Sequence, residues 1–257
     1  MNAHAVFFTL IFRIQFRLEF TNTSSYLIVM LISQPADQIA QSVCERILTL
    51  ATQAIAQRGQ FKFVLAGGKT PEKVYSLLAK SDAQWSKWFI YHGDERTLPV
   101  DHADRNSVMA TNAWLNHVAI PTSQIFDIPT ELGTKESATI YQEIIKNALP
   151  FDLVLLGMGE DGHIASLFPA EVHDETALVH EIYHSPKPPS ERVTLSAKAL
   201  SNTQTLLFLI TGINKKDAFT RWQNGEKLPV STVSAIETLD VYLDSVIVDS
   251  STPQSIL

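Results

Sequence analysis

The sequence predicts an α/β protein: a mostly parallel β-sheet with helices on both faces. Three observations point there. Short apolar runs alternate with longer segments whose apolar residues recur every three to four positions, as strands alternating with helices require. One run, Leu153-Val154-Leu155-Leu156, is apolar at every position and bounded by Gly157, which suits a strand buried on both faces. Three strands end in polar glycine turns, at Gly67, Gly93 and Gly157, where open parallel sheets gather their chemistry.

The chain begins with a stretch that stands apart. From Phe12 to Phe20 apolar residues alternate with Arg13, Gln15, Arg17 and Glu19, a strand pattern whose charges exclude a membrane span. The apolar run Ala5–Phe12 follows no basic segment, against a secretory signal. Thr21–Ser25 is a polar linker, and Met30 offers a second start. Residues 1–29 are therefore expected to be an extension outside the domain, as from an overextended reading frame. An added edge strand is the alternative. Residues 30–257 are expected to form a single α/β domain.

Residues 34–58 place Ile39, Val43, Ile47, Leu48, Ala51 and Ile55 on one helical stripe, and Gly59 ends it. Phe61–Ala66 reads as a strand. A helix through Ala79 follows, with Thr70 as its cap and Pro71 as its first residue. Trp88–His92 is the next strand, and helices are expected over 104–117 and 136–148. Strands follow at 152–156, Arg192–Leu195 and Thr205–Ile210, then a helix over 214–223 and a last strand at Val241–Val248.

Composition narrows the function classes. A chain of 257 residues with 20 Lys and Arg against 27 Asp and Glu has a net charge of −7, which argues against a general nucleic-acid binder. A small phosphorylated substrate remains open, because a few local cations suffice. The single cysteine, Cys44, excludes an intrachain disulfide and a cysteine metal cluster, and suits a reducing compartment.

The stretch Phe151–Pro169 carries the densest chemistry. A buried strand runs into Gly157, Gly159 and Gly162, with Glu160, Asp161 and His163 among them. His163 can exchange a proton near neutral pH, and glycine lets backbone N–H groups approach a bound oxygen. Gly157–Gly162 matches GxGxxG, but an acidic loop would repel a pyrophosphate, so a dinucleotide site is rejected. Ala66-Gly67-Gly68-Lys69-Thr70-Pro71 leads a strand into a helix N-terminus that favours an anion, yet it is not a Walker A loop. Lys69, Arg96, Arg192 and Lys215 are the cations able to hold a phosphate; singly, such residues are more often surface charges. His180-Glu181-Ile182-Tyr183-His184 matches HExxH. The prolines at 186, 188 and 189 and the absence of a helical pattern make it strand and loop instead, which separates the two imidazoles.

Together these strings resemble the 6-phosphogluconolactonases, over about residues 34–240. The matching elements are AGGKTP at 66–71, GDER at 93–96, GMGEDGHIASLFP at 157–169, PKPPSERVTL at 186–195 and TGINKK at 211–216. Two departures are Lys69, where the family often has serine, and the string Asp104-Arg105-Asn106 after the DER turn. The resemblance implies a Rossmann-like fold of the glucosamine-6-phosphate deaminase type. It implies hydrolysis of 6-phospho-D-glucono-1,5-lactone to 6-phosphogluconate in the pentose phosphate pathway, with no metal and no organic cofactor.

On that reading His163 is the base, with Asp161 or Asp94 orienting it or the substrate, and loop N–H groups steadying the oxyanion. Substrate binding is expected from Gly67, Gly68, Lys69, Thr70, Arg96, Asn106, Gly159, Arg192 and Lys215. No GxSxG elbow is present, so water attacks directly. The partner is a small phosphosugar lactone, with neither nucleic acid nor membrane, for a cytoplasmic monomer. Two alternatives are a glucosamine-6-phosphate deaminase-like isomerase and a non-catalytic sugar-phosphate-binding protein. The isomerase histidine loop resembles GHIAFNEP, with a glutamate where this chain has Leu167 and Phe168. The second class usually carries a basic DNA-binding segment, which is not found here.

Overall fold

The computed structural model describes residues 10–17 and 26–248. Its first half comprises β1 (Leu10–Arg17), β2 (Tyr26–Gln34), α1 (Ala36–Arg58), β3 (Phe61–Leu65), α2 (Lys69–Leu78), β4 (Trp88–His92), β5 (Asp94–Arg96) and α3 (Asn106–Ala113). There follow β6 (Ile125–Phe126), α4 (Thr134–Ala148), β7 (Phe151–Gly157), β8 (Val179–Ile182), β9 (Arg192–Leu195), α5 (Ala197–Ser201), β10 (Thr203–Ile210), α6 (Lys216–Gln223) and β11 (Thr238–Asp244).

The main sheet has the order β1-β2-β11-β10-β7-β3-β4-β6. All its neighbours are parallel except β1, which joins β2 antiparallel. The apolar run in β7 is continuous because both its faces are covered. Val154 and Leu156 pack into a core with Tyr141 and Ile145 of α4 and Phe219 and Trp222 of α6. Leu153 and Leu155 point the other way, into a core with Ile39, Val43 and Ile47 of α1 and Val74 and Tyr75 of α2. This is the helix–sheet–helix layering expected from the sequence, and it lines up the C-terminal ends of β3, β4 and β7.

Three details differ from expectation. The boundary placed after residue 29 falls inside β2, which starts at Tyr26 and pairs with β11 from Ile28 onward. Leu27 and Val29 are buried in the core, so residues 26–29 belong to the sheet. The alternating stretch corresponds to β1, while residues 18–20 lie outside the described residues. Second, α2 starts at Lys69 with Gly68 at its cap, at φ 107°. Thr70 is not the cap, because its hydroxyl bonds Thr211 Oγ1 at 2.7 Å. Third, the last strand stops at Asp244, short of Val248. The Asp244 carboxylate turns the chain by accepting the Val246 N–H at 3.2 Å, and also takes the Gly212 N–H at 3.0 Å.

A second, antiparallel sheet of order β5-β9-β8 stands beside the C-terminal edge of β4. Gly93 is the single residue between β4 and β5, so the chain passes directly from the main sheet into the small one.

Candidate active site

The glycine turn after β7 holds an Asp–His pair in one orientation. The Gly159 N–H donates to His163 O at 2.8 Å, and the Gly162 N–H donates to Gly159 O at 3.1 Å. His163 Nδ1 lies 2.5 Å from Asp161 Oδ1, and the His163 backbone N–H reaches the same oxygen at 3.2 Å. An ionised carboxylate only accepts, so Nδ1 carries the proton and Nε2 presents its lone pair. Gly159 makes room for this pair. A Cβ there would meet His163 Nδ1 at 2.0 Å and Asp161 Oδ1 at 2.6 Å.

Burial holds the His163 pKa below the ordinary imidazole value, and the Lys187 cation pushes the same way against Asp161 and Asp94. The ring is therefore neutral at pH 7. For Asp161, burial acts upward, but its hydrogen bonds from His163 outweigh it and keep the carboxylate below its usual range.

The turn after β4 supplies the second carboxylate. Asp94 is buried, and its Oδ2 accepts the Ser166 hydroxyl at 2.6 Å. Asn106 Nδ2 donates to Asp94 O at 2.9 Å and to Oδ1 at 3.2 Å. The neighbouring Glu95 is fully buried and braces the loop: Oε1 takes the N–H groups of Arg96 and Asn106, and Oε2 takes that of Ser107, each at 2.8 Å. A carboxylate at the start of α3 is favoured by the helix dipole and by the otherwise unpaired N–H groups. Gly67 approaches from β3, where a Cβ would lie 2.1 Å from Asn106 Oδ1.

Two arginines face each other across the small sheet, Arg96 on β5 directly opposite Arg192 on β9. Arg192 is anchored by backbone carbonyls: Nε donates to Pro189 O at 3.1 Å, and Nη2 to Lys187 O at 2.9 Å and Pro188 O at 3.2 Å. The proline-rich run thus fixes the guanidinium through Nε and Nη2, while Nη1 donates only to Ser166 Oγ, at 3.5 Å. Arg96 donates through Nη1 to Asp104 O, while its buried Nε has no partner.

These groups converge on a cavity of about 210 Å³. Of the residues expected at the site, Gly67, Gly68, Asp94, Arg96, Asn106, Gly159, His163, Arg192 and Lys215 line it. Asp161 adjoins it through His163. Lys69 and Thr70 do not line it; Lys69 is exposed, and Thr70 is tied to Thr211. Sequence reasoning missed Lys187, which lines the cavity and whose flanking prolines were the available signal. It also missed Ser166 and Glu95, whose roles depend on contacts distant in sequence. Burial lowers the Lys215 pKa, with Lys187 adding to the effect and Glu160 opposing it.

The HExxH string is split as the sequence reading expected. His180 sits on β8, with its ring stacked on His173 at 4.6 Å, and His184 lies exposed in the following loop. Burial, reinforced by His173, depresses His180 to about 4.

A neutral, carboxylate-oriented imidazole beside a cation-lined cavity, at the C-terminal ends of a parallel sheet, defines an α/β site able to activate water next to an anionic small molecule. The chain belongs to the family of glucosamine-6-phosphate isomerases and 6-phosphogluconolactonase, whose sequence model matches residues 34–242. It is 37% identical over 183 residues to the 6-phosphogluconolactonase of Synechocystis sp., covering 67% of this chain and 75% of that one. Against a probable chloroplastic 6-phosphogluconolactonase 3 of Oryza sativa subsp. indica, identity is 33% over 232 residues, or 81% of this chain and 71% of that one. The crystal structure of the 6-phosphogluconolactonase from Thermotoga maritima superposes with a TM-score of 0.79 at 30% identity, covering 84% of this chain and all of that one.

Proposed function

We propose that the protein hydrolyses 6-phospho-D-glucono-1,5-lactone to 6-phospho-D-gluconate, the second step of the oxidative pentose phosphate pathway. The observation that carries this reading is the Asp161–His163 pair set at a cationic cavity. His163 Nε2 takes a proton from water as the oxygen attacks the lactone carbonyl carbon. Asp161 holds the tautomer and steadies the imidazolium that forms. The carbonyl π electrons move onto oxygen to give the tetrahedral oxyanion; the Gly159 and Gly162 N–H groups are bonded within their own turn and are not its donors. Collapse reforms the carbonyl and breaks the bond to the ring oxygen, which leaves as a hydroxyl with the proton from Nε2. The phosphate is held by Arg96, Arg192 Nη1, Lys187 and Lys215. Asp94 and Asn106 receive the sugar hydroxyls.

The scheme uses no metal and no organic cofactor. A monomer is the proposed state. The buried Cys44 suits a reducing compartment. The cytoplasm is the proposed location, although the rice relative is named as chloroplastic.

The isomerase alternative wants an acid in the loop following the histidine. Here Phe168 packs its ring 4.8 Å from that of His163, and Arg192 lies over the same ring at 5.8 Å. An apolar ring cannot donate the proton that an aldose–ketose shift requires, which favours hydrolysis. The test is acid production from freshly made lactone, corrected for spontaneous hydrolysis. Rapid release is expected, with no ammonia from glucosamine 6-phosphate. The reverse pattern would transfer the protein to the isomerase class.

A further inference from the structure

Ser166 is completely buried, two residues before Phe168. Its hydroxyl donates to Asp94 Oδ2 at 2.6 Å, and Arg192 Nη1 stands 3.5 Å from the same Oγ. The Ser166 backbone N–H reaches Thr194 Oγ1 at 3.2 Å, which ties the residue to β9. The local backbone is bent to bring it there. Ala165 sits at φ 47°, a left-handed conformation uncommon for a residue with a side chain. The bridge between Ile164 and Leu167, with the Leu167 N–H on Ile164 O at 2.8 Å, closes a turn around Ala165 and Ser166. Such strain persists where surrounding contacts over-determine it.

Asp94 and Arg192 are both buried, carry opposite charges and flank one hydroxyl. Buried opposite charges with nothing between them pair directly. We infer that Ser166 is a positioning residue that keeps Asp94 from capturing the Arg192 guanidinium, leaving Nη1 for the anionic group of the substrate. The hydroxyl does this by satisfying Asp94 Oδ2 as a donor while presenting only a lone pair to Arg192. Without it, the buried carboxylate takes its missing hydrogen bond from Arg192. The guanidinium then leaves the carbonyls of Lys187 and Pro189, and the cavity loses a cation.

The inference rests on the proposed phosphosugar substrate, so it is tested by binding as well as by turnover. 6-Phosphogluconate is titrated calorimetrically into the parent and into Ser166→Ala, and lactone hydrolysis is measured in parallel. The expected result is a Kd and KM about tenfold higher in the variant, the scale of one misplaced charge-assisted contact, with kcat changed much less. Ser166→Cys keeps the side-chain shape, slightly enlarged, while weakening the donor, and is expected to shift Kd the same way should the alanine variant melt early.

The decisive comparison is in the Asp94→Asn background, where position 94 no longer holds an anion able to capture Arg192. There Ser166→Ala is expected to leave Kd unchanged. An equal loss in both backgrounds would reduce Ser166 to loop packing and overturn the inference, as would an unchanged Kd in Ser166→Ala alone. Binding without hydrolysis by the parent would sink the proposed function but leave the Ser166 comparison standing. A parent that does not bind 6-phosphogluconate overturns both.

Discussion

Arg96 and Arg192 stand directly opposite each other on β5 and β9, two like charges in one cross-strand pair. Like charges in that relation destabilise a sheet, and Arg96 helps depress the Arg192 pKa after the larger effect of burial. The pair makes sense when an anion lies between the two side chains. Arg96→Ala and Arg192→Ala are each expected to raise KM by roughly 10- to 150-fold, the range of a hydrogen bond to a charged group at 1.5–3 kcal/mol. Inhibition by 6-phosphogluconate should weaken in parallel, and kcat should change less. Steady-state kinetics on both variants, with unchanged KM for either, would remove that arginine from the phosphate grip.

The parallel sheet and its three glycine turns were legible because each rests on local sequence. Leu153–Leu156 announces a strand buried on both faces, and Gly157 through His163 announces its turn. The small sheet was only partly legible. His180–His184 read as strand and loop and Arg192–Leu195 as a strand, but β5 is three residues long and offers no period. Glu95, Ser166 and the Arg96–Arg192 pairing depend on contacts 12, 72 and 96 residues apart in chain numbering, which no local pattern reports. Thr70 shows the opposite failure. A good capping residue beside Pro71 lost to Gly68, because only glycine readily takes φ 107° at that strand–helix corner.

The HExxH string gives a prediction of its own. With His180 on a strand and His184 exposed beyond it, the two imidazoles do not share a helical face as that zinc motif requires. Exhaustive chelation is expected to leave the hydrolysis rate unchanged, and His184→Ala should match the parent. Activity lost on chelation and restored by zinc would revive the two histidines as ligands.

At the other end of the chain, the place of cutting matters. A chain starting at Met30 lacks Leu27 and Val29, both buried, together with the start of the β2–β11 ladder. Losing two such side chains costs about 3–6 kcal/mol, or roughly 6–24 °C in Tm for a domain of this size. A chain starting at Tyr26 keeps both and is expected to turn over substrate like the full chain. Thermal melts of the two truncations distinguish the cases. Equal Tm values would show that residues 26–29 contribute nothing to the sheet.

Gly159→Ala tests the geometry of the Asp–His pair without replacing either member. Gly159 is not among the glycines with positive φ, so alanine meets no backbone strain. Its Cβ would lie 2.0 Å from His163 Nδ1, so the ring or the loop must move. A shift of about 1 Å in a catalytic group costs on the order of 10²-fold. The expected result is a folded protein with kcat lowered by that order and product affinity kept, since the proposed phosphate cations sit on β5, on β9, on the segment before β9 and just ahead of α6. Near-parent kcat would mean that the Asp161–His163 contact is dispensable.

The assignment of His163 as the base carries the most weight. Its Nδ1 proton is committed to Asp161, its Nε2 lone pair is open, and the side chain is 16% exposed beside the cavity. Asp94 is the competing base, but both its oxygens already accept hydrogen bonds, from Ser166 and Asn106. General-base catalysis contributes roughly 10²–10⁴-fold, so His163→Ala should lower kcat by that factor and leave 6-phosphogluconate affinity nearly intact. The pH dependence follows from the direction of the shift. The neutral ring is the active form, and burial places its pKa below the ordinary imidazole value. Activity should therefore hold through neutral pH and fall only as pH drops below that value, with the acid limb absent in His163→Ala. Asp161→Asn removes the carboxylate that raises the His163 pKa, so its acid limb should move to still lower pH while kcat falls, because the tautomer is no longer fixed. If His163→Asn and His163→Gln stay folded with near-parent kcat while Asp94→Asn abolishes turnover, the base is Asp94, and the imidazole only shapes the loop.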